Sequence, residues 1–163
     1  MKCTLSVLVE NQAGVLSKVA SLFSRRGFNI DSLAVGETED PALSRITIVV
    51  SGSEHTVEQI EKQLNKVIPV IKVKNLDKGE YTSRMLTLFK VHVPASKRAE
   101  IMKIAEVMGA RILDVTKTTI TLEFCDTAER TDHIQTLLQP YGIKEVVRTG
   151  AIALEKGSSV MRK

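Results

Sequence analysis

The sequence is poor in the residues that mark nucleic-acid-binding proteins. Only 4% of its 163 residues are aromatic and none is tryptophan, whereas proteins that bind single-stranded nucleic acids stack bases on aromatic rings along a clustered basic face. The net charge of +4 arises from basic residues scattered over the second half of the chain. We therefore interpret the basic charge as a solvated surface and expect no nucleic-acid partner.

Cysteine and histidine are equally scarce. Cys3 and Cys125 have no second cysteine or histidine nearby at metal-ligand spacing, so we expect two free, buried thiols and no metal site. The three histidines fall in different predicted elements. The sequence also lacks a nucleophile elbow, a Walker loop, a zincin motif and the dinucleotide-binding glycine motif. These absences exclude the common catalytic designs and favour a binding module.

Long apolar runs are missing as well. No stretch approaches the 18 residues that a membrane helix needs, and the short apolar run at the N-terminus ends at Glu10. We therefore expect no membrane partner and a cytoplasmic protein, or one of the plastid stroma if the chain comes from a plant or alga.

Hydrophobic periodicity predicts an α+β fold of two tandem βαββαβ modules, each of the ferredoxin-like kind. Alternating apolar residues predict strands and stripes at i, i+3, i+4 predict helices, in the same order before and after a polar segment. We predict a first domain over residues 1–77, a linker over 78–84, a second domain over 85–155 and a flexible tail over 156–163.

The most informative segment joins the first strand to the first helix. Residues 10–17 form a turn that carries Gly14, and the helix after it shows an inward stripe of Leu16, Val19, Ala20 and Phe23. The first amides of a helix have no intrahelical acceptor and lie at the positive end of its dipole, so this turn can hold a small carboxylate. An alternative is an ordinary capped helix, with Asn11 as the N-cap and nothing bound.

The second strand of the first module is predicted to lie at a sheet edge. Residues 29–36 contain neither lysine nor proline, the residues that commonly protect such an edge from pairing. The edge therefore favours a dimer in which this strand pairs with its symmetry mate. An edge covered by a loop of the same chain is the alternative.

Several sequence blocks resemble one family. They are Leu5-Ser-Val-Leu-Val-Glu-Asn-Gln-Ala-Gly-Val-Leu-Ser-Lys-Val, Leu22-Phe-Ser-Arg-Arg-Gly-Phe-Asn-Ile-Asp-Ser-Leu, Leu43-Ser-Arg-Ile-Thr-Ile-Val and Ile60-Glu-Lys-Gln-Leu-Asn-Lys. The chain resembles the small, regulatory subunits of acetohydroxyacid synthase (acetolactate synthase), and its first module resembles an ACT domain. This resemblance extends over essentially the whole chain.

The resemblance implies a regulatory subunit without catalytic activity. Its partner would be the large, catalytic subunit, which would carry thiamine diphosphate, Mg²⁺ and FAD, while this chain would hold no cofactor. The small subunit is expected to activate the large one and to confer feedback inhibition by valine or a related branched-chain amino acid. A stand-alone amino-acid-binding ACT regulator with another partner remains the alternative.

The resemblance also implies which residues bind the effector. The family's site falls on Asn11, Gly14, Val15 and Leu16 of one subunit and on Asn29, Ile30 and Val35 of another, in a homodimer formed through the ACT domain. Backbone amides at 14–16 suit a carboxylate, and the two asparagine side chains can accept hydrogen bonds from an ammonium group. The apolar side chains would form the pocket.

Overall fold

The computed structural model describes all 163 residues and divides them into two compact units. The first unit comprises residues 1–82 and 151–163, and the second comprises residues 83–150. Both contain the predicted βαββαβ order, which confirms the α+β fold of two ferredoxin-like modules. None of the helices is long and apolar enough to cross a membrane.

The first unit is a four-stranded antiparallel sheet with two helices on one face. Its elements are β1 (Lys2–Glu10), α1 (Val15–Arg26), β2 (Ile30–Glu37), β3 (Leu43–Ser51), α2 (Glu54–Leu64) and β4 (Val70–Asn75). The strand order is β2-β3-β1-β4, so β2 is an edge strand as predicted. Since β1 and β2 are both antiparallel to β3, they run in the same direction, and their C-terminal ends lie at the same end of the sheet.

Strand alternation builds the core between this sheet and its helices. Leu5 pairs with Ile48 and Val7 pairs with Ile46, and all four side chains are fully buried on the helix-bearing face. Burial of each such side chain contributes roughly 1.5–3 kcal/mol.

The inward stripe of α1 differs from the predicted one. Its buried residues are Val15, Val19, Leu22 and Phe23, whereas Leu16 is 44% exposed. The sequence is apolar at two overlapping sets of positions, both of which contain Val19 and Phe23, so periodicity alone could not choose between them. The helix begins at Val15, and its rotation places Val15 in the core and Leu16 outside.

The second unit repeats the plan with a different core. Its elements are β5 (Tyr81–His92), which begins in the last residues of the first unit, α3 (Arg98–Met108), β6 (Arg111–Val115), β7 (Thr119–Asp126), α4 (Ala128–Leu138) and β8 (Ile143–Arg148). The strand order is β6-β7-β5-β8. Phe89, Ile120, Leu122 and Ile134 are fully buried at the centre of its core.

The domain boundaries differ from the predicted ones. A short 3-10 helix (Leu76–Lys78) and the start of β5 at Tyr81 occupy most of the predicted linker over 78–84. Residues 151–155, predicted to end the second domain, belong to the first unit and contain β9 (Ile152–Glu155).

The predicted flexible tail over 156–163 packs on the first unit instead. Met161 is only 7% exposed and contacts Leu8 and Leu43 on the sheet face opposite the helices. The guanidinium of Arg45 donates to the Met161 carbonyl at 3.1 Å. The apolar side chains on this face of β1 and β3 need cover from water, and the C-terminal segment supplies it.

Candidate effector-binding site

The turn between β1 and α1 is open and strained for any residue but glycine. Gly14 is the N-cap of α1 and has φ 84, a left-handed conformation that costs other L-residues roughly 1–2 kcal/mol. A Cβ built on Gly14 would meet no atom within 4 Å. The space above this backbone is therefore free for a ligand to approach.

The start of α1 has no capping side chain. By contrast, Ser53 accepts from Thr56 N–H at the start of α2, and Thr127 accepts from Arg130 N–H at the start of α4. The first turn of α1 also contains no acidic residue. The Val15 N–H makes only a long hydrogen bond, 3.5 Å to the Gln12 carbonyl, so the start of α1, at the positive end of the helix dipole, remains available to an anion. The alternative of a helix capped by the Asn11 side chain is wrong.

Asn11 instead fastens the turn to the connection between β2 and β3. Its backbone N–H donates to the carbonyl of Ala42 at 2.8 Å. Its side-chain Nδ2 donates to the Pro41 carbonyl at 2.9 Å and to Oε1 of Glu37 at 3.2 Å. Because these bonds use both amide hydrogens, only Oδ1 is left to face a ligand, and Oδ1 can accept from an ammonium group.

Glu37 is the residue that sequence reasoning missed at this end of the sheet. It is the last residue of β2, and its exposed carboxylate lies beside Asn11. The sequence did contain a signal for Glu37, because the βαββαβ order makes β1 and β2 run in the same direction and brings the C-terminal ends of both strands to one end of the sheet. A carboxylate next to Asn11 adds a negatively charged acceptor to the Gly14 turn.

The predicted apolar residues divide into buried and exposed ones. Val15 is only 4% exposed and belongs to the core, so it can offer a ligand little more than its backbone amide. Ile30 also packs against that core in part. Leu16 and Val35 are 44% and 46% exposed, and these two side chains form the accessible apolar surface.

One chain does not bring all seven predicted residues together. Asn29 precedes β2, and at about 3.3 Å per residue it lies roughly 25 Å from Glu37 at the other end of that strand. Its Nδ2 donates to Oδ1 of Asp31 at 3.0 Å. The single chain therefore places Asn11, Gly14 and Leu16 at one end of the sheet and Asn29 with Ile30 at the other. Val35, which the resemblance grouped with Asn29 and Ile30, lies two residues before Glu37 and so at the Asn11 end.

Besides β3 and the Asn11 side chain, the edge strand β2 also contacts the C-terminal segment. The backbone N–H of Ala151 donates to Oγ of Ser32 at 2.9 Å, so the C-terminal segment reaches a side chain of β2. In the strand order β2 occupies the end position and pairs with β3 alone. The backbone groups on its outer side are not part of the sheet ladder.

A separate, partly buried cluster raises the pKa of the first cysteine. Burial, followed by the nearby Asp77 carboxylate, raises the pKa of Cys3 to about 12. Asp77 accepts from Thr4 N–H at 2.6 Å and from the Tyr81 hydroxyl at 3.0 Å. Burial also raises the pKa of Tyr81, and Asp77 adds to that rise. Cys125, predicted to be buried, is exposed.

No group of three or more His, Cys, Asp and Glu residues is arranged to hold a metal ion. The polar groups that meet at one end of the first sheet are instead a helix start, the Asn11 amide and the Glu37 carboxylate. The β2-β3-β1-β4 sheet with both helices on one face, and an uncapped glycine turn before α1, define the first unit as a ferredoxin-like module of the ACT type.

Comparisons with known proteins extend this assignment to the whole chain. Residues 5–72 match the family described as an AHAS small subunit-like ACT domain, and residues 84–157 match the small subunit of acetolactate synthase. The chain belongs to the acetolactate synthase small-subunit family, whose members are regulatory and not catalytic.

Individual relatives cover nearly the full length. A probable acetolactate synthase small subunit of Archaeoglobus fulgidus is 47% identical over 97% of this chain and 99% of its own length. The acetolactate synthase small subunit of Mycolicibacterium smegmatis is 46% identical over 94% and 91%. The crystal structure of the small subunit from Thermotoga maritima is 36% identical, covers 98% of this chain and 99% of its own, and superposes with a TM-score of 0.87.

Proposed function

We propose that this chain activates an acetolactate synthase catalytic subunit and makes it sensitive to feedback inhibition by valine or a related branched-chain amino acid. Thiamine diphosphate, Mg²⁺ and FAD would belong to that catalytic subunit, in the cytoplasm or in the plastid stroma of a plant or alga. The observation that carries the effector site is the uncapped start of α1 beside the Asn11–Glu37 hydrogen bond.

A homodimer formed through β2 would complete this site. Two copies of β2 paired antiparallel about a two-fold axis would place the C-terminal end of one strand beside the N-terminal end of the other. Asn11 is tied to the loop that follows β2. The Gly14 turn of one copy would therefore lie next to Asn29 and Ile30 of the second copy, and two equivalent sites would form at the seam.

Each part of a free amino acid would have its own partner in this arrangement. The ligand carboxylate would accept from the backbone amides of residues 14–16, where the helix dipole favours negative charge. Its ammonium group would donate to Oδ1 of Asn11, to Glu37 and to Asn29 of the second copy. Its aliphatic side chain would contact Leu16 and Val35 of the copy that supplies Gly14, both of which are exposed in the single chain.

The size of the ligand limits the affinity. Valine has eight heavy atoms, and a gain of at most about 1.5 kcal/mol per atom puts the tightest possible Kd near the nanomolar range; because association and ordering costs reduce this gain, we expect micromolar to millimolar binding. One methylene changes affinity by ~10- to 200-fold at most, so valine, leucine and isoleucine should show a graded preference. Inhibition requires a coupling between effector and catalytic partner, typically ~1–3 kcal/mol.

Calorimetry and enzyme assays test the two parts of the proposal separately. Valine, leucine and isoleucine are titrated into the isolated chain, and acetolactate formation by the catalytic subunit is then measured with and without the chain and valine. We expect saturable binding of one ligand per chain, activation, and inhibition by the same ligand. Binding without any effect on the catalytic subunit would favour the stand-alone regulator, and no binding of any of the three would overturn the effector site.

A further inference from the structure

The helix-bearing face of the first unit carries a basic cleft that the proposed effector site does not use. The cleft lies between α1 and the end of α2, has a volume of about 600 Å³ and contains three cationic side chains, Lys18, Arg25 and Lys66. Ser17, Ser21 and Gln63 line it as well, and no carboxylate does. We define the basic cleft by these six residues.

The cations of the basic cleft have no partner within the chain. Other lysines and arginines form salt bridges, but Lys18, Arg25 and Lys66 take part in none. Residues 1–77 contain as many acidic as basic residues, yet α1 contains three basic residues and no acidic one. Like charges gathered without counter-charges repel each other, so an incoming acidic surface would relieve that repulsion.

The fold does not require this charge. The second unit has a groove of about 570 Å³ in the corresponding position between α3 and α4, and its lining is mainly apolar, with Ile104, Val107 and Leu137. Its one carboxylate, Glu100, already accepts from the Tyr141 hydroxyl at 2.9 Å. The basic lining is therefore a property of the first unit alone.

We propose that the basic cleft is the docking surface for an acidic segment of the catalytic subunit. This inference rests on the proposed function, because it takes the catalytic subunit as the partner. Lys18 lies one helical turn after Gly14 on the same helix, so effector and catalytic subunit would both act on α1. A ligand that shifts α1 would change the fit of the cleft to its partner, which is the differential affinity that feedback inhibition requires.

Charge reversal with a matched control tests the docking surface. The cleft variant carries Lys18→Glu, Arg25→Glu and Lys66→Glu. The control carries Arg26→Glu, Lys62→Glu and Lys72→Glu, three exposed residues of the same unit that do not line the cleft. Both variants change the net charge equally. The concentration of small subunit that gives half-maximal activation of the catalytic subunit is measured at several salt concentrations, and circular dichroism verifies folding.

We expect the cleft variant to need at least about tenfold more protein for half-maximal activation, and the control to stay within about threefold of wild type. Association with the catalytic subunit should also depend less on salt concentration in the cleft variant than in the wild type. Calorimetric valine binding should be unchanged in both. Equal half-maximal concentrations for the two variants would overturn the docking surface. So would a cleft that binds inorganic phosphate in the wild type while the cleft variant still associates normally with the catalytic subunit. If wild type itself fails to activate the catalytic subunit, the proposed function fails instead.

Discussion

The hydroxyl of Ser6 donates to the sulfur of Met161 at 3.4 Å, which joins the first strand to the last residues of the chain. Both residues are buried. Glu155, in the same C-terminal segment, forms an ion pair at 2.8 Å with Lys74 of β4. The C-terminal residues are therefore an integral cover of the helix-free face of the first sheet.

Replacement of Met161 by alanine should destabilise the first unit. Truncation of a buried methionine typically costs ~2–5 kcal/mol, and we expect the lower half of that range because the cluster around Met161 is small. Chemical denaturation followed by circular dichroism measures the change. Val160→Ala is the matched control, since Val160 is 65% exposed and its truncation should cost less than about 0.5 kcal/mol. Equal losses in the two variants would contradict the buried role of Met161.

Local periodicity identified the elements, but contacts distant in sequence decided the details. The order of strands and the edge position of β2 follow from patterns within single segments. Met161 belongs to the first unit through contacts with Leu8 and Leu43, more than a hundred residues away, and no local pattern carries that information. The helix α1 shows the same limit, because both Val15 and Leu16 fit an apolar stripe and only the packing against β1 and β3 selects Val15.

The candidate site was also predictable only where local sequence patterns define it. The Gly14 turn is visible in the sequence as a strand end, a glycine and an amphipathic helix. The hydrogen bond between Asn11 and Glu37 was predictable only in part, because the predicted strand order brings the ends of β1 and β2 together, but no local pattern shows that the exposed Glu37 carboxylate accepts from Asn11 instead of facing water.

The stability of the protein should fall at alkaline pH because of Cys3. Burial raises the pKa of this thiol from about 9 to about 12. Between these values the unfolded state loses the thiol proton while the folded state keeps it, so the free energy of unfolding falls as pH rises. Denaturation midpoints measured between pH 8 and 11 should therefore decline less steeply in Cys3→Ala than in wild type. Parallel pH profiles of the two proteins would refute this role of Cys3.

Gly14→Asp should abolish feedback inhibition by placing a negative charge where the effector carboxylate binds. Two controls separate charge from strain. Gly14→Asn adds a side chain of the same shape without charge, and Gly157→Asp adds the same residue at another left-handed glycine with open space around it. We expect at least a tenfold loss of valine affinity by calorimetry in Gly14→Asp, since one unpaired charge costs ~1.4 kcal/mol or more. An unchanged valine affinity would show that the effector carboxylate does not bind at this turn.

Glu37→Gln should weaken effector binding without disturbing the turn. The new amide oxygen can still accept from Nδ2 of Asn11, while the ligand ammonium loses a charged acceptor. A charge-assisted hydrogen bond is worth about 1.5–3 kcal/mol, which predicts a roughly 10- to 100-fold weaker valine affinity. Glu39→Gln, two residues further along in the connection between β2 and β3, is the control and should bind valine like wild type. If both variants bind like wild type, Glu37 does not contact the ammonium group.

A mixing experiment tests whether each effector site draws on two copies of the chain. Gly14→Asp and Asn29→His should each abolish or greatly weaken valine binding on their own. In a mixed dimer, one site would combine both substitutions, and the other would combine the intact Gly14 of one copy with the intact Asn29 of the second copy. Unfolding the two variants together and refolding them should therefore restore wild-type affinity in some of the sites.

Random reassembly makes half of the dimers mixed, so calorimetry should find about a quarter of the sites with wild-type affinity. In the control, Gly14→Asp is unfolded and refolded alone, so that every site carries the substitution and none should recover wild-type affinity. If Gly14 and Asn29 of the same copy formed one site, every site in the first mixture would carry one substitution and none would recover. Absence of recovery, with dimers present by analytical ultracentrifugation, would therefore reject the shared seam while leaving the Gly14 turn itself as a binding element.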